Sequence, residues 1–301
     1  MTVFIIAVIL IVLFAVSSCM LAHYGVHIKR QSFEYALNWQ REHYDISFYD
    51  PLEKADYTIT GFDGYVLPVQ LLKNPVPTDK YIIISHGHTD NHYGMLKYAK
   101  MYLDFGFNVI IYDLRAHGEN KKTICTFSIR ESKDLYELIK DTRRRYPGLK
   151  VLGLHGESLG GATTIAVLKY APEVDFVVDD CGFADIISVM QGGLKAMHIP
   201  PFMVYPASVC ARIMYGYSFK DMRPIDALKN NKVPILFIHG AEDTYILPSH
   251  SERMSRETKG YSEVHLIPGA AHAESILTDP ESYRKYVEEF LRHGDGSSVW
   301  F

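Results

Sequence analysis

The feature that most constrains the fold is a regular alternation of short apolar, β-branched or aromatic runs with amphipathic helical patterns. Strand patterns occur at residues 57–60, 65–72, 81–84, 108–112, 150–154, 174–178, 233–238 and 263–267. Helical patterns separate the later strands at residues 95–105, 129–146, 159–170, 249–258 and 280–291. Strands joined by helices of this length pair in parallel. We therefore predict an α/β fold with a mostly parallel eight-stranded sheet, led by an antiparallel hairpin and covered by helices on both faces.

The composition excludes several classes of function. The 31 lysines and arginines are outnumbered by 35 aspartates and glutamates, which gives a formal net charge of -4. Binding to a nucleic-acid backbone usually needs a basic excess, so we expect no nucleic-acid partner. The four cysteines contain no CxxC pair, which argues against a disulfide framework or a zinc site. The phosphate-binding glycine pattern GxGxxG is absent from the strand-to-helix turns, so we expect no nucleotide or redox cofactor.

The N-terminus is strongly apolar. Residues 3–16 form an uninterrupted apolar run, and no charged residue interrupts the sequence before Ala22. As a helix, about twenty residues span about 30 Å, which is enough to cross a bilayer. We therefore predict that residues 1–30 are a single-pass membrane anchor.

The processing and the orientation of this segment stay open. Ala15 and Ser17 are small residues in the pattern of a cleavage site, so a removed signal segment is an alternative, as is a buried helix of a soluble protein. No lysine or arginine precedes the apolar run. Lys29 and Arg30 follow it and favour a cytosolic catalytic domain, but the difference is only two charges.

A G-x-S-x-G motif at residues 156–160 carries the clearest chemical signal. It lies directly between the predicted strand at 150–154 and the predicted helix at 159–170. Such a strand-to-helix turn holds a serine as a nucleophile, with glycines on both sides that let the neighbouring backbone approach closely. The alternative is an ordinary glycine-rich turn whose serine, Ser158, caps the helix.

A nucleophilic serine needs a base and an orienting acid later in the chain, each at the end of a strand. Asp243 follows the predicted strand at 233–238, and His272 follows the predicted strand at 263–267. We predict that Ser158, Asp243 and His272 are catalytic. Three other acids compete for the orienting position: Asp179, Asp180 and Glu242.

The loop after the third strand, which contains His86, Gly87 and His88, is a candidate for part of an oxyanion hole. Such a hole uses the backbone N–H of the residue after the nucleophile and another from an earlier loop. We predict that the two donors are the amides of His88 and Leu159. A metal site formed by His86, His88 and His92 is the alternative, but this spacing on an irregular loop is unfamiliar for zinc.

Five motifs in order resemble the α/β-hydrolase superfamily, and within it the bacterial serine-aminopeptidase-like hydrolases that carry an N-terminal membrane segment. The resemblance covers residues 57–292. Its markers are HGH at 86–88, YDLRAHG at 112–118, GESLG at 156–160, HGAEDTYILP at 239–248 and GAAH at 269–272. One departure is Leu159, where relatives often carry Met or Gln; because its backbone is the expected donor, the change should not matter.

The resemblance implies an α/β-hydrolase domain over residues 31–301, with a short cap after the sixth strand at about residues 183–230. It also implies a Ser-His-Asp triad of Ser158, His272 and Asp243. Three further residues would be structural residues of a loop near the site: Asp113, Arg115 and His117.

The predicted activity is that of a serine hydrolase that cleaves an ester through an acyl-enzyme. Many side chains in the cap are apolar and adaptable, which suggests an acyl or aromatic substrate bound by Met190, Phe202 and Tyr205. The alternative is that these side chains form the cap's own core. An aminopeptidase or other amide or thioester hydrolase, acting on a peptide, is the second choice, because the cap contains few carboxylates to hold an amino group. A non-catalytic binding scaffold is the third.

Overall fold

The computed structural model describes residues 1–293 and Trp300. Within these residues one eight-stranded sheet has the order β1-β2-β4-β3-β5-β6-β7-β8. The pairs β1/β2 and β2/β4 are antiparallel and all others are parallel. The strands are β1 (Lys54–Thr60), β2 (Val66–Leu72), β3 (Lys80–Ser85), β4 (Asn108–Tyr112), β5 (Val151–Glu157), β6 (Phe176–Asp180), β7 (Ile235–Gly240) and β8 (Ser262–Ile267). The predicted fold class is confirmed.

Ten α-helices accompany the sheet in the part of the chain that the structure describes. They are α1 (Thr2–Val26), α2 (Phe33–His43), α3 (Leu96–Asp104), α4 (Ile129–Arg145), α5 (Leu159–Val167), α6 (Ile186–Ala196), α7 (Val204–Tyr215), α8 (Ser249–Glu257), α9 (Ser275–Thr278) and α10 (Pro280–His293).

The central strands are buried on both faces. Successive side chains of a strand point to opposite faces of the sheet. In β3, Ile83 belongs to the core that includes Leu135 of α4, whereas Ile82 and Ile84 belong to the core that includes Tyr98 of α3. This arrangement explains why β3 and β4 read as continuous apolar runs rather than as alternating patterns.

Several strands extend past their predicted bounds at the carboxyl end, where the site lies; β7, for example, runs to Gly240 rather than Ile238. β5 continues three residues past Leu154, to Glu157, and β6 begins two residues later than predicted and runs to Asp180. Asp179 and Asp180 were expected to follow the strand, but they pair in register with Phe237 and Ile238 of β7. Polar side chains at a strand terminus are compatible with the strand when their own partners satisfy them, as Tyr98 Oη does for Asp180 at 2.9 Å.

Helix α2 has no counterpart among the predicted elements. Its N-cap, Ser32, accepts a hydrogen bond from the amide of Tyr35, and its buried residues are Ala36 and Gln40. The Gln40 side chain accepts a hydrogen bond from the amide of Lys97, and this bond attaches α2 to α3. Contacts with residues distant in the chain help to stabilise so short a helix, and its local pattern does not predict it.

The cap predicted at about residues 183–230 contains α6, α7 and three short 3-10 turns. The side chains of Val204, Ala207 and Phe219 are buried and belong to the same core as the sheet. Helix α1 is long and apolar enough to cross a membrane, by length and composition. Its final turns pack on this cap, with Ala22 and Val26 buried, whereas the earlier turns are exposed.

Candidate active site

Ser158 lies in the sharp turn between β5 and α5, with φ 54° and ψ -112°. Such a conformation is rarely populated by a residue with a side chain, and it costs about 1–3 kcal/mol. The turn is possible because its neighbours are glycines. A Cβ on Gly160 would lie 2.0 Å from the carbonyl oxygen of Ser85, and one on Gly156 would lie 2.3 Å from the Gly160 carbonyl. The Ser158 amide donates to the Asp180 carbonyl at 2.8 Å, which holds the turn against β6.

The structure brings together the three side chains that the sequence singled out. His272 Nε2 lies 2.9 Å from Ser158 Oγ, and His272 Nδ1 lies 2.7 Å from Asp243 Oδ2. Ser158 and Asp243 are buried, and His272 is half-buried. With Nδ1 protonated and donating to the carboxylate, Nε2 is free to accept the hydrogen bond of the serine hydroxyl.

Four hydrogen bonds hold the Asp243 carboxylate in place. Oδ1 accepts from the amides of Tyr245 and Ile246, each at 2.9 Å. Oδ2 accepts from His272 and also lies 3.2 Å from Nε2 of His239. Burial acts to raise the pKa of Asp243, but the hydrogen bonds from His239 and His272 outweigh it and hold that pKa well below its usual range. The carboxylate therefore stays ionised beside the imidazole.

His239 contacts the predicted acid Asp243, and the sequence patterns did not indicate this contact. It is fully buried at the end of β7, and its Nδ1 lies 2.8 Å from the hydroxyl of Ser251. Its Nε2 faces two acceptors, the carbonyl of Ile246 at 2.8 Å and Asp243 Oδ2, so Nε2 carries the proton. His239 is thus a positioning residue for Asp243. Its place at a strand end, four residues before the acid, was the signal available in the sequence.

Within residues 1–293, none of the three competing acids hydrogen-bonds to His272. Glu242 is exposed. Asp180 accepts from Tyr98, and burial, with the nearby charge of Glu157, raises its pKa to about 6. Asp179 is buried beneath the serine turn, and burial raises its pKa well above the usual range.

The two predicted oxyanion donors lie on either side of the serine. Leu159 is the first residue of α5, where an amide has no acceptor within its own helix. Gly87 lies beside Ser158, since a Cβ on Gly87 would be 3.7 Å from Ser158 Cβ, and the next residue, His88, lines the same cavity as Ser158. The His88 ring stacks on Phe127, with centroids 5.6 Å apart, and burial lowers its pKa to about 4. The ring is therefore neutral.

Two of the three histidines of the alternative metal site, His86 and His92, are engaged in the protein's own hydrogen bonds, and the third, His88, stacks on Phe127. His86 Nε2 accepts from the Leu114 amide at 2.9 Å, and His92 Nδ1 lies 2.9 Å from Asp113 Oδ1. Among the described residues no group of three or more ligand side chains could hold a metal ion. Asp113 thus fixes the loop that follows β3.

Arg115, which follows Asp113 in the loop after β4, is buried in a separate hydrogen-bond network. Its Nε and Nη2 donate to the two carboxylate oxygens of Asp134, each at 2.7 Å. Nη1 donates to Asp63 at 3.0 Å, and Nη2 also donates to the Phe62 carbonyl at 2.8 Å. This bidentate pair ties the loop after β4 to α4 and to the β1–β2 turn, which is a structural function.

A polar cavity of about 330 Å³ opens over the serine. Ser158 and His272 lie on one wall, and the other walls include α2 side chains and a buried ion pair between Lys97 and Glu157, with Nζ 2.5 Å from Oε2. Burial acts to lower the pKa of Lys97, but the charge of Glu157 raises it above its usual value. We call the cavity over Ser158 the polar cavity.

A second cavity, of about 300 Å³, lies between α1, α6 and α7. We call it the apolar cavity. It meets the polar cavity at His88 and Tyr245, which line both. Of the three predicted substrate-binding residues, Met190 lines the apolar cavity. Phe202 and Tyr205 line neither cavity, because their side chains point outward from the cap and are 56% and 45% exposed.

Two curated relatives span nearly the same length as this chain. It is 29% identical over 283 residues to the uncharacterized protein YqkD of Bacillus subtilis, covering 92% of each chain. It is 22% identical over 245 residues to a protein named as the uncharacterized membrane protein YNL320W of Saccharomyces cerevisiae, covering 80% of each.

Among solved structures, the esterase Pf2001 of Pyrococcus furiosus superposes with a TM-score of 0.68 at 25% identity, covering 89% of this chain and 97% of that one. The sequence model of the prolyl oligopeptidase family matches residues 131–293, more than half of the chain. This segment contains the serine turn, the Asp243 loop and the His272 loop. The chain therefore belongs to the prolyl oligopeptidase family and is a serine hydrolase of the α/β-hydrolase fold.

Proposed function

We propose that this protein hydrolyses carboxylic esters, with Ser158 as nucleophile, His272 as general base and acid, and Asp243 as the residue that orients the imidazole. The observation that carries the proposal is the continuous hydrogen-bonded path from Ser158 Oγ through His272 to Asp243, at 2.9 and 2.7 Å. Such a path activates a hydroxyl that is otherwise a weak nucleophile.

The reaction has two halves. His272 Nε2 takes the proton of Ser158 as Oγ bonds to the ester carbonyl carbon, and the amides of His88 and Leu159 stabilise the resulting oxyanion. The carbonyl then re-forms as the bond to the alcohol oxygen breaks, and the alcohol leaves with the proton from His272. In the second half His272 deprotonates a water, which attacks the acyl-enzyme and releases the carboxylic acid and Ser158.

The two cavities favour an ester over a peptide. The apolar cavity suits a hydrocarbon chain, and the structural relative from Pyrococcus furiosus is named as an esterase. The second candidate, an aminopeptidase, draws support from the family name and from carboxylates in the polar cavity, which would hold an amino group. Of these three, Glu157 is paired with Lys97 and Glu274 is exposed to solvent, while burial, with the charge of Glu157, raises the pKa of Asp90 to about 7. A carboxyl that is partly protonated at neutral pH binds an ammonium group weakly.

Labelling with a fluorophosphonate tests the mechanism. The full chain in detergent is expected to react at Ser158 Oγ, which bonds to phosphorus as fluoride leaves, and peptide mass spectrometry locates the adduct. Ser158→Ala is expected to abolish labelling, whereas Ser255→Ala, on the remote helix α8, keeps it. A folded wild-type protein that stays unlabelled would instead support the non-catalytic scaffold. Unlabelled enzyme, with its active sites counted by labelling a separate sample, is then assayed on p-nitrophenyl esters and aminoacyl p-nitroanilides to separate ester from amide specificity.

For localisation, we propose that α1 anchors the protein and that one face of the cap rests on the same bilayer. Tyr205, Val209 and Ile213 recur at four-residue spacing along α7 and are 45%, 60% and 79% exposed. They form one apolar stripe on the side of the helix opposite to its buried residues. Helix α1 packs on α7 through Cys19 and Cys210 and through His23 and Tyr215, so the stripe and the exposed apolar side chains of α1 lie on adjoining helices.

A tryptophan at Ile213 tests the contact with the bilayer. In the full chain reconstituted into vesicles, the added fluorescence of Ile213→Trp is expected to be quenched by brominated lipid tails, because the stripe lies against the acyl region. Val76→Trp provides the control, since Val76 is 69% exposed on a turn outside the cap. Equal quenching at the two positions would contradict a specific membrane-facing surface.

A further inference from the structure

We propose that helix α1 is a wall of the acyl-binding pocket as well as an anchor, and that the apolar cavity takes the acyl chain of a lipid-type ester that enters beside this helix. This inference rests on the proposed ester hydrolysis at Ser158. It assigns a substrate class and a specificity-determining element to that site.

The residues that line the apolar cavity show that α1 and the cap build it jointly. Leu21 and Gly25 of α1 face Met190, Leu194 and Phe219 of the cap across it. A Cβ placed on Gly25 would lie 3.5 Å from the Phe219 ring and 3.6 Å from the Met190 methyl group. Gly25 therefore leaves open the space that any side chain at this position would fill.

Several contacts seat α1 on the cap. Ala22 and Val26 are buried, with at most 1% of their surface exposed. Cys19 Sγ and Cys210 Sγ are 2.8 Å apart, and Nδ1 of His23 lies 2.7 Å from the hydroxyl of Tyr215. These contacts lie along one face of α1 and hold its final turns at a fixed position against α7.

The segment that follows α1 is hydrogen-bonded to the loop after β3, beside Ser158. The carbonyl of Val26 accepts a hydrogen bond from the Cys125 amide at 2.9 Å, and the Gln31 amide donates to the Thr89 carbonyl at 2.9 Å. Thr89 is the neighbour of His88, whose amide is the proposed oxyanion donor and whose side chain lines both cavities. The wall formed by α1 therefore ends beside the carbonyl carbon that Ser158 would attack.

The two ends of the apolar cavity differ. At the end next to the polar cavity lie His88 and Tyr245, which line both cavities, and the Tyr245 side chain is 52% exposed. Of the remaining apolar lining side chains, Tyr24 and Met197 are the most exposed, at 74% and 59%, and we place the mouth beside them. Tyrosine is typical of the interface between a bilayer and water. An acyl chain entering past Tyr24 would reach Ser158 without crossing bulk water, and its polar alcohol part would lie in the polar cavity.

The test is a chain-length series of p-nitrophenyl esters, from acetate to dodecanoate, assayed with the full chain in detergent and normalised to fluorophosphonate-titrated sites. In the wild type, kcat/KM is expected to rise by about fourfold for each methylene that the cavity buries. In Gly25→Trp the indole fills the cavity, so the ratio of kcat/KM for octanoate to that for acetate is expected to fall about tenfold or more. Met20→Trp, on the exposed side of α1, keeps the wild-type ratio.

The outcomes separate the inference from the function on which it rests. No turnover of any ester together with no label at Ser158 contradicts the hydrolase. Turnover of acetate with no rise along the series, or the same ratio in Gly25→Trp as in the wild type, overturns the pocket while leaving the hydrolase intact.

A cross-link tests, independently of activity, whether α1 packs on α7 as described. Oxidation of the full chain with copper phenanthroline is expected to join Cys19 to Cys210, as the two thiols give up two protons and, to the oxidant, two electrons. Peptide mapping without reduction detects the bond, and Cys19→Ser removes it. Cys125 and Cys181 are buried and do not compete. If Cys19 and Cys210 of the wild type did not cross-link, the packing of α1 against α7 would be contradicted.

Discussion

Replacement of Asp243 by asparagine is expected to lower kcat for ester hydrolysis by about four orders of magnitude without unfolding the protein. The reason lies in the four donors around the carboxylate. If the asparagine oxygen faces His272 and His239, its NH2 group points at the amides of Tyr245 and Ile246, which are donors themselves. If the NH2 group faces His272 instead, the imidazole must carry its proton on Nε2 and cannot take the proton of Ser158.

Kinetics on a soluble ester and fluorophosphonate labelling measure the effect. Glu242→Gln is the matched control, because Glu242 is the adjacent acid on the same loop and its side chain is exposed. Its kcat should equal that of the wild type. If Asp243→Asn also retained wild-type kcat, another acid would have to orient His272, and the assignment of Asp243 would be wrong.

The second large expected effect is a loss of stability. Gly160→Ala is expected to lower the free energy of unfolding by about 3 kcal/mol or more, because overpacking against rigid backbone cannot be relieved by a side-chain rotation. The added Cβ would lie 2.0 Å from the Ser85 carbonyl oxygen and 2.7 Å from that of His86. Relief requires the serine turn to move away from β3, which would also displace the Leu159 amide and reduce labelling at Ser158.

The midpoint of thermal unfolding in detergent measures this loss, and for a chain of this size the expected fall is about 6–12 °C. Gly192→Ala is the matched control, since Gly192 lies inside α6 with no atom within 4 Å of its Cβ position. There the substitution should stabilise the helix by about 0.5–1 kcal/mol. Equal midpoints for Gly160→Ala and the wild type would contradict the close approach described for the turn.

The amino-acid sequence was sufficient to predict those features that depend on residues close together in the chain. The strand at residues 108–112 has the bounds that its β-branched pattern predicted, because a short apolar run between turns has few alternatives once a parallel sheet forms. The order Ser158, Asp243, His272 followed from the strand ends, since the carboxyl ends of parallel strands meet at one edge of a sheet. Their catalytic roles stay a prediction until the labelling and the kinetics are measured.

Tertiary structure decided whatever depends on partners distant in the chain. An apolar side chain on a cap helix can face the core or the solvent, so Met190 reached a cavity while Phe202 and Tyr205 stayed outside. The hydropathy of α1 specifies a helix able to span a membrane, yet its packing on α7 depends on complementary surfaces about 190 residues away, with Cys19 and Cys210 separated by 191 positions. Composition measures only how apolar a segment is, whereas the contacts between folded surfaces determine which cavity it lines.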